Sequence, residues 1–363
     1  MSDHEEMTQK FSTFGDKLLQ HCDTLNVLQK LGDIRPITVQ LALTEVCDSD
    51  CPFCSVAARP LKSYLPWKDI EYLVLFFKRM GAKAFELTGG GNPLLYRDPI
   101  ANKTINDVIA LIAEQKMDVG IITNSHSLKN LLMRDKINWV RISLIKLDEG
   151  KKPEDYDFDG FPPEKLGFSY IIYDTGGMTD ELSRTKKAYK GTTQESIEKI
   201  AKLVELNPGI KFVRIAGNCL IKGNNQKIKE EYKSVIDSVD KYSKFFIKDI
   251  GTNDSPFNEG CYVGGIRPYI APHPNGGDYQ MYICTSHVLN TRKYDLKYSL
   301  GSIKDLDTIY WKMGRSIREK GYPYQINNNE GKNWCGECKF CYYRNNNKLL
   351  HTVVTKLPDK NFS

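Results

Sequence analysis

Strand-like and helix-like segments alternate along this chain from residue 37 to about residue 245, and this alternation constrains the fold more than any other feature. The apolar segments with a strand pattern are 37–43, 84–88, 119–123, 139–145, 167–173 and 211–217. The amphipathic segments with helical spacing are 69–80, 104–117, 193–206 and 226–242. Such alternation predicts βαβ units around a parallel sheet. Because βαβ crossovers are right-handed, six such strands are expected to curl into a barrel or partial barrel.

Glycines and polar residues follow the ends of these predicted strands. Cys47 comes after the first strand, the GGGN segment 89–92 after the second, and Asn124 after the third, while Ser143 lies within the fourth. Active sites of βα barrels form at the C-terminal ends of the strands. We therefore expect these residues around one mouth of the barrel. The polar segments 147–165 and 174–192 are predicted loops, which either form a lid there or are tolerated insertions.

Three cysteines, Cys47, Cys51 and Cys54, fall within eight residues in the spacing C-x3-C-x2-C. A closed structural zinc site needs four ligands, and no further cysteine occurs before residue 219. A [4Fe–4S] cluster has four irons, so three thiolates leave one iron open to a small molecule. The spacing therefore favours a cluster built for chemistry, with structural zinc as the alternative. Pro52 stiffens the loop, and Phe53 offers an aromatic face beside the site.

The stretch VCDSDCPFCS resembles the signature loop of the radical S-adenosylmethionine (SAM) superfamily. The resemblance implies an α/β fold, a partial (β/α)6 TIM-type barrel with a small C-terminal cysteine-rich extension. It also implies a [4Fe–4S] cluster whose open iron binds the amino and carboxylate groups of SAM. An electron, from a reductant such as flavodoxin or ferredoxin, then cleaves SAM to methionine and a 5′-deoxyadenosyl radical, which abstracts hydrogen from a substrate.

The resemblance covers residues 37 to about 220. LTGGGNPLL is similar to the glycine-rich segment that binds the amino group of SAM, although the family usually has Glu where this chain has Asn92. IITNS and VRISL are similar to segments that contact the ribose and the carboxylate, with a turn Asn and a buried Ser as the alternatives. The SAM-binding residues implied in this way, together with Phe53, are Gly89, Gly90, Gly91, Asn92, Asn124 and Ser143.

A second set of cysteines lies in the last third of the chain. It resembles the twitch type of the SPASM/twitch extension, because a full SPASM domain has more cysteines. The resemblance implies one auxiliary [4Fe–4S] cluster, held by Cys261, Cys284, Cys335 and Cys338. Cys341 either replaces Cys261 as the fourth ligand or is free. A zinc site built from the last four of these five cysteines is the alternative.

The expected organisation is a helical lead-in over 1–36, the barrel over 37–245 and the auxiliary Fe–S extension over 246–363. No run approaches 18 apolar residues, so no membrane span is expected. The N-terminus is too acidic and polar for a signal peptide, which predicts a cytoplasmic protein whose clustered thiols bind metal. The net charge of +6 is weak evidence for an anionic partner, because lysines and acidic residues are mixed along the chain.

The expected activity is oxidation or cross-linking of a small molecule or a peptide, because a hydrogen abstraction followed by loss of an electron is a two-electron oxidation. The segment before the first strand is too short for the leader-binding domain of many peptide-modifying relatives, so the two substrate classes rank equally. Rearrangement or group transfer on a nucleotide or nucleic acid is the alternative, although no nucleic-acid-binding motif is present. A non-enzymatic Fe–S or zinc protein is the alternative of another class.

Overall fold

The computed structural model describes residues 10–11, 15–158, 160–173, 189–218, 231–248, 260–288, 292–323 and 341–355. Within these ranges the strands are β1 Thr38–Leu41, β2 Ala84–Leu87, β3 Arg97–Asp98, β4 Lys103–Thr104, β5 Asp118–Thr123, β6 Trp139–Ser143, β7 Leu166–Ile172, β8 Val213–Gly217, β9 Phe245–Ile247, β10 Tyr269–Pro272, β11 Tyr279–Tyr282 and β12 Ser299–Ser302. The α-helices are α1 Cys22–Leu31, α2 Trp67–Arg79, α3 Ile105–Glu114, α4 Ile145–Asp148, α5 Gln194–Leu206, α6 Lys233–Val239, α7 Val263–Ile266, α8 Leu306–Lys320 and α9 Arg344–Val354. Short 3₁₀ helices span Gly15–Gln20, Pro93–Leu95, Arg134–Lys136, Pro153–Asp155, Pro163–Lys165, Thr285–His287, Leu296–Tyr298 and Ile303–Asp305.

Ten strands form one sheet in the order β12-β11-β10-β1-β2-β5-β6-β7-β8-β9. The six strands predicted from the sequence are neighbours in this sheet, and each pairs in parallel with the next. The predicted α/β fold, a partial (β/α)6 TIM-type barrel, is therefore confirmed. β9 adds a further parallel strand beside β8, and β3 and β4 form a small separate hairpin.

The two faces of this sheet differ in polarity. Phe85 of β2 faces the helices, since its ring lies 6.2 Å from the ring of Phe77 in α2. Adjacent strand residues point to opposite faces, and directly paired residues share a face. The register therefore places a polar set on the opposite face, toward the inside of the barrel. We name this set the lumen face; it consists of Gln40, Glu86, Arg141, Ser143, Ser169 and Arg214.

Several element ends differ from the sequence prediction. The fourth strand ends at Ser143 rather than at residue 145, because the chain turns there and α4 begins at Ile145. The helix predicted over 226–242 is α6, Lys233–Val239, in the described residues. It ends just before Asp240, whose carboxylate accepts hydrogen bonds from the backbone N–H groups of residue 244 and of Phe245, the first residue of β9.

The C-terminal part of the chain joins the same sheet. β10 pairs in parallel with β1, and β10, β11 and β12 pair antiparallel with one another. The predicted hairpin turns at Gly276 and Gly277, which have φ of 79° and 86°, values that favour glycine. The proposed domain boundaries at residues 36/37 and 245/246 stay predictions. Of the helices described, none has the length and apolar character needed to cross a membrane.

Candidate active site

The loop that carries the first three cysteines begins where β1 ends. Beyond β1 the chain stays extended and pairs with a later segment, since Thr44 bridges to Tyr64. The loop then turns between Cys51 and Cys54, whose backbone N–H donates to the Cys51 carbonyl at 3.0 Å. Cys47, Cys51 and Cys54 are all half-buried. We name residues 47–54 the cysteine loop; it lies at the C-terminal end of β1, as predicted for an active site in such a barrel.

The three thiols of the cysteine loop lie close enough to affect one another. Burial raises the pKa of Cys51 well above its usual value, and the charges of Cys54 and Cys47 raise it further. Burial also raises the pKa of Cys47. In the part of the chain that the structure describes, no three His, Cys, Asp or Glu side chains are arranged to hold a single metal ion.

The glycine-rich segment packs directly against the start of the cysteine loop. Gly89 and Gly90 have φ of 86° and 64°, which other residues rarely adopt. The backbone N–H of Gly91 donates to the Thr44 carbonyl at 2.8 Å. A Cβ at Gly91 would lie 2.0 Å from the carbonyl oxygen of Val46, so only glycine fits there. The sequence thus brings the GGG segment beside the loop, while its role in binding SAM stays a prediction.

Asn92 and Asn124 both hold the cysteine loop through Asp48. The Asn92 Nδ2 group donates to the Asp48 carboxylate at 3.2 Å and to Ser125 Oγ at 2.9 Å, while its Oδ1 accepts from Thr123 Oγ1 at 2.7 Å. Asn124 Nδ2 lies 3.2 Å from the same carboxylate and 3.7 Å from Cys47 Sγ. Since both donors of the Asn92 amide are used within the protein, this residue positions the loop. Contacts of either asparagine with SAM stay predictions.

Residues 41–150 match the family model described as the radical SAM superfamily, and this segment holds the three cysteines, the glycines and both asparagines. This segment carries a radical SAM domain. The similarity of fold extends further, since the crystal structure of Streptococcus suis SuiB bound to precursor peptide SuiA superposes with a TM-score of 0.50 and 16% identity, covering 90% of this chain and 76% of that one. Native anSMEcpe with bound AdoMet and Kp18Cys peptide aligns with a TM-score of 0.44 and 12% identity over 88% of this chain and 96% of that one. No curated protein matches the chain significantly.

The cofactors of this radical SAM enzyme are a [4Fe–4S] cluster and SAM. The cysteine loop fits the cluster, because burial and the charges of its neighbouring thiolates raise the pKa of Cys51, and all three thiolates would be stabilised by cationic iron. Two side chains also donate to the sulfur atoms. Arg59 Nη1 lies 3.4 Å from Cys54 Sγ, and the Asn124 amide approaches Cys47 Sγ. These donors stabilise negative charge on the thiolates.

A buried charged network joins the cysteine loop to the C-terminal part of the radical SAM enzyme. The side chains of Glu45 and Arg59 are 0% and 1% exposed, and Arg59 Nε lies 3.6 Å from Glu45 Oε2. The Tyr294 hydroxyl donates to the same carboxylate at 3.1 Å. Arg292 donates to the carbonyl of Pro52 at 3.1 Å, inside the cysteine loop. The segment from 292 therefore packs against the loop and binds its backbone.

Lys146 of α4 holds the cysteine loop from the other side of the barrel mouth. Its Nζ group lies 2.9 Å from the Asp48 carbonyl, 3.1 Å from the Asp48 carboxylate and 2.9 Å from Glu149 Oε2. Burial alone would lower the pKa of Lys146, but the hydrogen bond to Glu149 and the charge of Asp48 raise it. Lys146 therefore stays charged and fixes Asp48, which in turn orients Asn92 and Asn124.

Phe53 packs against Tyr173, whose hydroxyl donates a hydrogen bond to Asp148. The rings of Phe53 and Tyr173 lie 5.1 Å apart. The hydroxyls of Tyr173 and Tyr170 donate to the Asp148 carboxylate at 3.0 and 2.9 Å. Burial raises the pKa of Asp148, although these hydrogen bonds oppose the shift. The contact fixes the Phe53 ring, and its predicted place beside the cluster is untested.

Ser143 lies at the end of β6 and is half-buried on the lumen face, paired with Ser169 of β7. It stands at the mouth of the barrel, two residues beyond Arg141 on the same face. Its predicted contact with the SAM carboxylate stays a prediction.

The C-terminal cysteines are described in part. Cys335 and Cys338 lie outside the described residues. Burial raises the pKa of Cys341 to about 11, and the charge of Cys261 contributes to this shift, so these two thiols are neighbours. Cys284 is buried after β11, near Tyr343, whose pKa its charge helps to raise. Cys261, Cys284 and Cys341 thus approach one region, while the ligand set and the metal stay predictions.

Sequence reasoning missed most of the residues that hold the cysteine loop. Their partners are distant along the chain, and an isolated charged residue gives no spacing signal. The available signal was position: several missed residues flank the loop or follow a strand end. The missed residues are Glu45, Asp48, Arg59, Lys146, Asp148, Glu149, Tyr173, Arg292 and Tyr294.

Proposed function

We propose that this radical SAM enzyme abstracts hydrogen from a small molecule or a peptide bound in the barrel, and that the product is oxidised or cross-linked. The observation that carries the proposal is the set of three mutually interacting thiols at the barrel mouth. Cys47, Cys51 and Cys54 would hold the cluster. When bound, the cluster and SAM supply a 5′-deoxyadenosyl radical at this mouth.

The residues around the cysteine loop would position that chemistry. Arg59 and Asn124 donate to the sulfurs of Cys54 and Cys47, so they hold the thiolates in place. Lys146 and Arg292 fix the loop backbone from two sides. The lumen face lies below the loop and would receive the substrate, because barrel substrates enter at the C-terminal ends of the strands.

The C-terminal thiols support an oxidative outcome. Cys261 and Cys341 are neighbours, and Cys284 lies near Tyr343, two residues beyond Cys341. With Cys335 and Cys338 they provide enough thiolates for an auxiliary [4Fe–4S] cluster. Such a cluster would supply an acceptor for the electron that remains after hydrogen abstraction.

Both substrate classes stay in the proposal. The SuiB structure of similar fold contains a precursor peptide, which supports testing peptides alongside small molecules. A reductant such as flavodoxin or ferredoxin is proposed as the electron donor, and nucleic acid is the alternative substrate.

The experiment is anaerobic reconstitution with iron and sulfide, followed by SAM and dithionite, with 5′-deoxyadenosine as the product measured. The variant with Cys47, Cys51 and Cys54 all replaced by Ala is expected to form none. Cys22→Ser is the matched control, because Cys22 is exposed and bonds only the nearby Leu19 carbonyl among the described contacts. Undiminished product from the triple variant would contradict the proposal.

Iron content tests the auxiliary site in the same triple variant. If the C-terminal thiols hold a [4Fe–4S] cluster, about four irons per chain are retained. One zinc without iron would instead support the structural alternative.

A further inference from the structure

The lumen face carries charged groups deep in the barrel. Glu86 of β2 accepts a hydrogen bond from Gln40 Nε2 at 2.8 Å and an ion-pair hydrogen bond from Arg267 Nη2 at 2.6 Å. Arg141 of β6 also acts on Glu86 through its charge. Burial alone would raise the pKa of Glu86, but Arg267 and Arg141 with Gln40 lower it, so this carboxyl is ionised at neutral pH.

The charged group formed by Glu86, Arg141 and Arg267 contains more positive than negative charge. Arg141 donates no hydrogen bond to any group within the described ranges, and its Nε atom is buried. The Nε of Arg267 is likewise buried without a partner there. Two guanidinium groups therefore share the single carboxylate of Glu86. Burying a guanidinium without full hydrogen bonding is costly, so this arrangement favours an incoming anion.

We infer that Arg141, supported by the Arg267–Glu86 pair, binds a carboxylate group of the substrate. The planar guanidinium fork matches the two oxygens of a carboxylate. Among Glu86, Arg267 and Arg141, the excess of one positive charge is balanced by a monoanion such as a carboxylate. Arg214 lies on the same face but nearer the mouth, level with Ser143. The inference rests on the proposed function, since it assigns the substrate class of that same barrel site.

The charged group of Glu86, Arg141 and Arg267 lies where it could bind the end of a substrate that is farthest from the cysteine loop. Arg141 precedes Ser143 by two residues on one strand, so it lies about 7 Å deeper than the mouth. Tyr343 lies near Arg267 and Glu86, because the charges of both act on its pKa. A carboxylate held there leaves the rest of the substrate extending up toward the cysteine loop.

The test measures binding to the reconstituted enzyme with SAM and without reductant. The probes are the peptide Gly-Glu-Gly blocked at both ends, its Gly-Gln-Gly counterpart, and glutarate as a small acid, each titrated by calorimetry. We expect wild type to prefer at least one carboxylate probe, and Arg141→Gln to weaken that probe about tenfold or more. Arg141→Lys keeps the charge and is expected to lose less, while Glu86→Gln is expected to strengthen binding.

The control is Arg315→Gln, since Arg315 is exposed on α8 and contacts Glu319 and the ring of Trp311 on the same helix. Tighter binding of the Glu peptide identifies a peptide carboxylate as the source, and tighter binding of glutarate a small acid. The inference would be overturned if Arg141→Gln and Arg141→Lys bound the Glu peptide and glutarate as tightly as wild type does. It would also be overturned if these variants lost affinity for SAM but not for the probes. Because no SAM cleavage is needed, a failure of the proposed function would appear separately, as absent 5′-deoxyadenosine.

Discussion

Replacing Glu45 with Gln tests the buried network that closes the cysteine loop. The change keeps the size of the side chain but removes the charge that faces the buried Arg59 at 3.6 Å. Breaking a buried ion pair from one side costs about 3–5 kcal/mol. Arg59 keeps hydrogen bonds to the carbonyls of Glu45 and Val56, so we expect the lower end, about 3 kcal/mol.

Tyr294→Phe measures how much the Tyr294 hydroxyl contributes to stability, independently of the Glu45 charge. It removes a donor that lies 3.1 Å from the Glu45 carboxylate, and leaving that carboxylate with one fewer partner costs about 1–3 kcal/mol. Because the hydroxyl and the carboxylate touch, the loss in the Glu45→Gln, Tyr294→Phe double variant is expected to be smaller than the sum of the single losses.

The assay is thermal unfolding of reduced, cluster-free protein, followed by near-UV circular dichroism. Unfolding entropy is about 2.1 cal/mol/K per residue, so 3 kcal/mol in a chain of 363 residues lowers Tm by about 4 °C. Asp278→Asn is the control, because it breaks the exposed pair with Lys304, and no measurable change in Tm is expected. An unchanged Tm in Glu45→Gln, or a larger loss in Tyr294→Phe, would refute this account of the network.

Three further predictions follow from single contacts. Gly91→Ala is expected to abolish SAM binding in equilibrium dialysis, because the new Cβ would collide with the backbone of Val46. The control is Gly150→Ala, which is expected to bind SAM normally, because Gly150 has a φ of 97° but open space around it. Lys146→Met is expected to lower the iron bound per chain on reconstitution, because the loop loses its bond to α4, and the exposed Lys152→Met is expected to leave iron unchanged. Burial raises the pKa of Asp148, so its contribution to stability is complete below the unfolded value of 3.8 and is lost as pH rises through the folded pKa. The free energy of unfolding of wild type minus that of Asp148→Asn is therefore expected to fall as the pH rises above the unfolded value of 3.8, and a flat or rising difference in denaturant titrations would contradict the assignment.

The strands and their parallel order were predictable because local patterns determine them. Each of the six predicted strands is a short apolar run between turns, and each lies beside the next in the sheet. The end of the fourth was wrong by two residues, since Ile145 continues the apolar run but already begins α4. Apolar character alone does not distinguish a strand end from the buried start of a short helix.

The contacts of the site were less predictable because they join distant parts of the chain. The cysteine spacing and the GGG segment gave local signals, and the structure places them side by side. Lys146 and Asp48 are 98 residues apart, and Tyr294 and Glu45 are 249 apart. Neither Lys146 nor Tyr294 stands in a motif, so their roles depend on how the sheet is closed by helices and loops.

The C-terminal region contacts both ends of the barrel. Its strand β10 lies beside β1, so the residues before and after that strand reach opposite ends of the sheet. Arg267, just before β10, pairs with Glu86 deep in the lumen. At the mouth, Tyr294 binds Glu45 just before the cysteine loop, and Arg292 binds the loop itself. Since an unpaired Glu86 would lower the positive excess around Arg141, loss of this region would weaken both the predicted carboxylate site and the enclosure of the loop. The lumen and the cysteine loop are therefore expected to assemble only in the full chain.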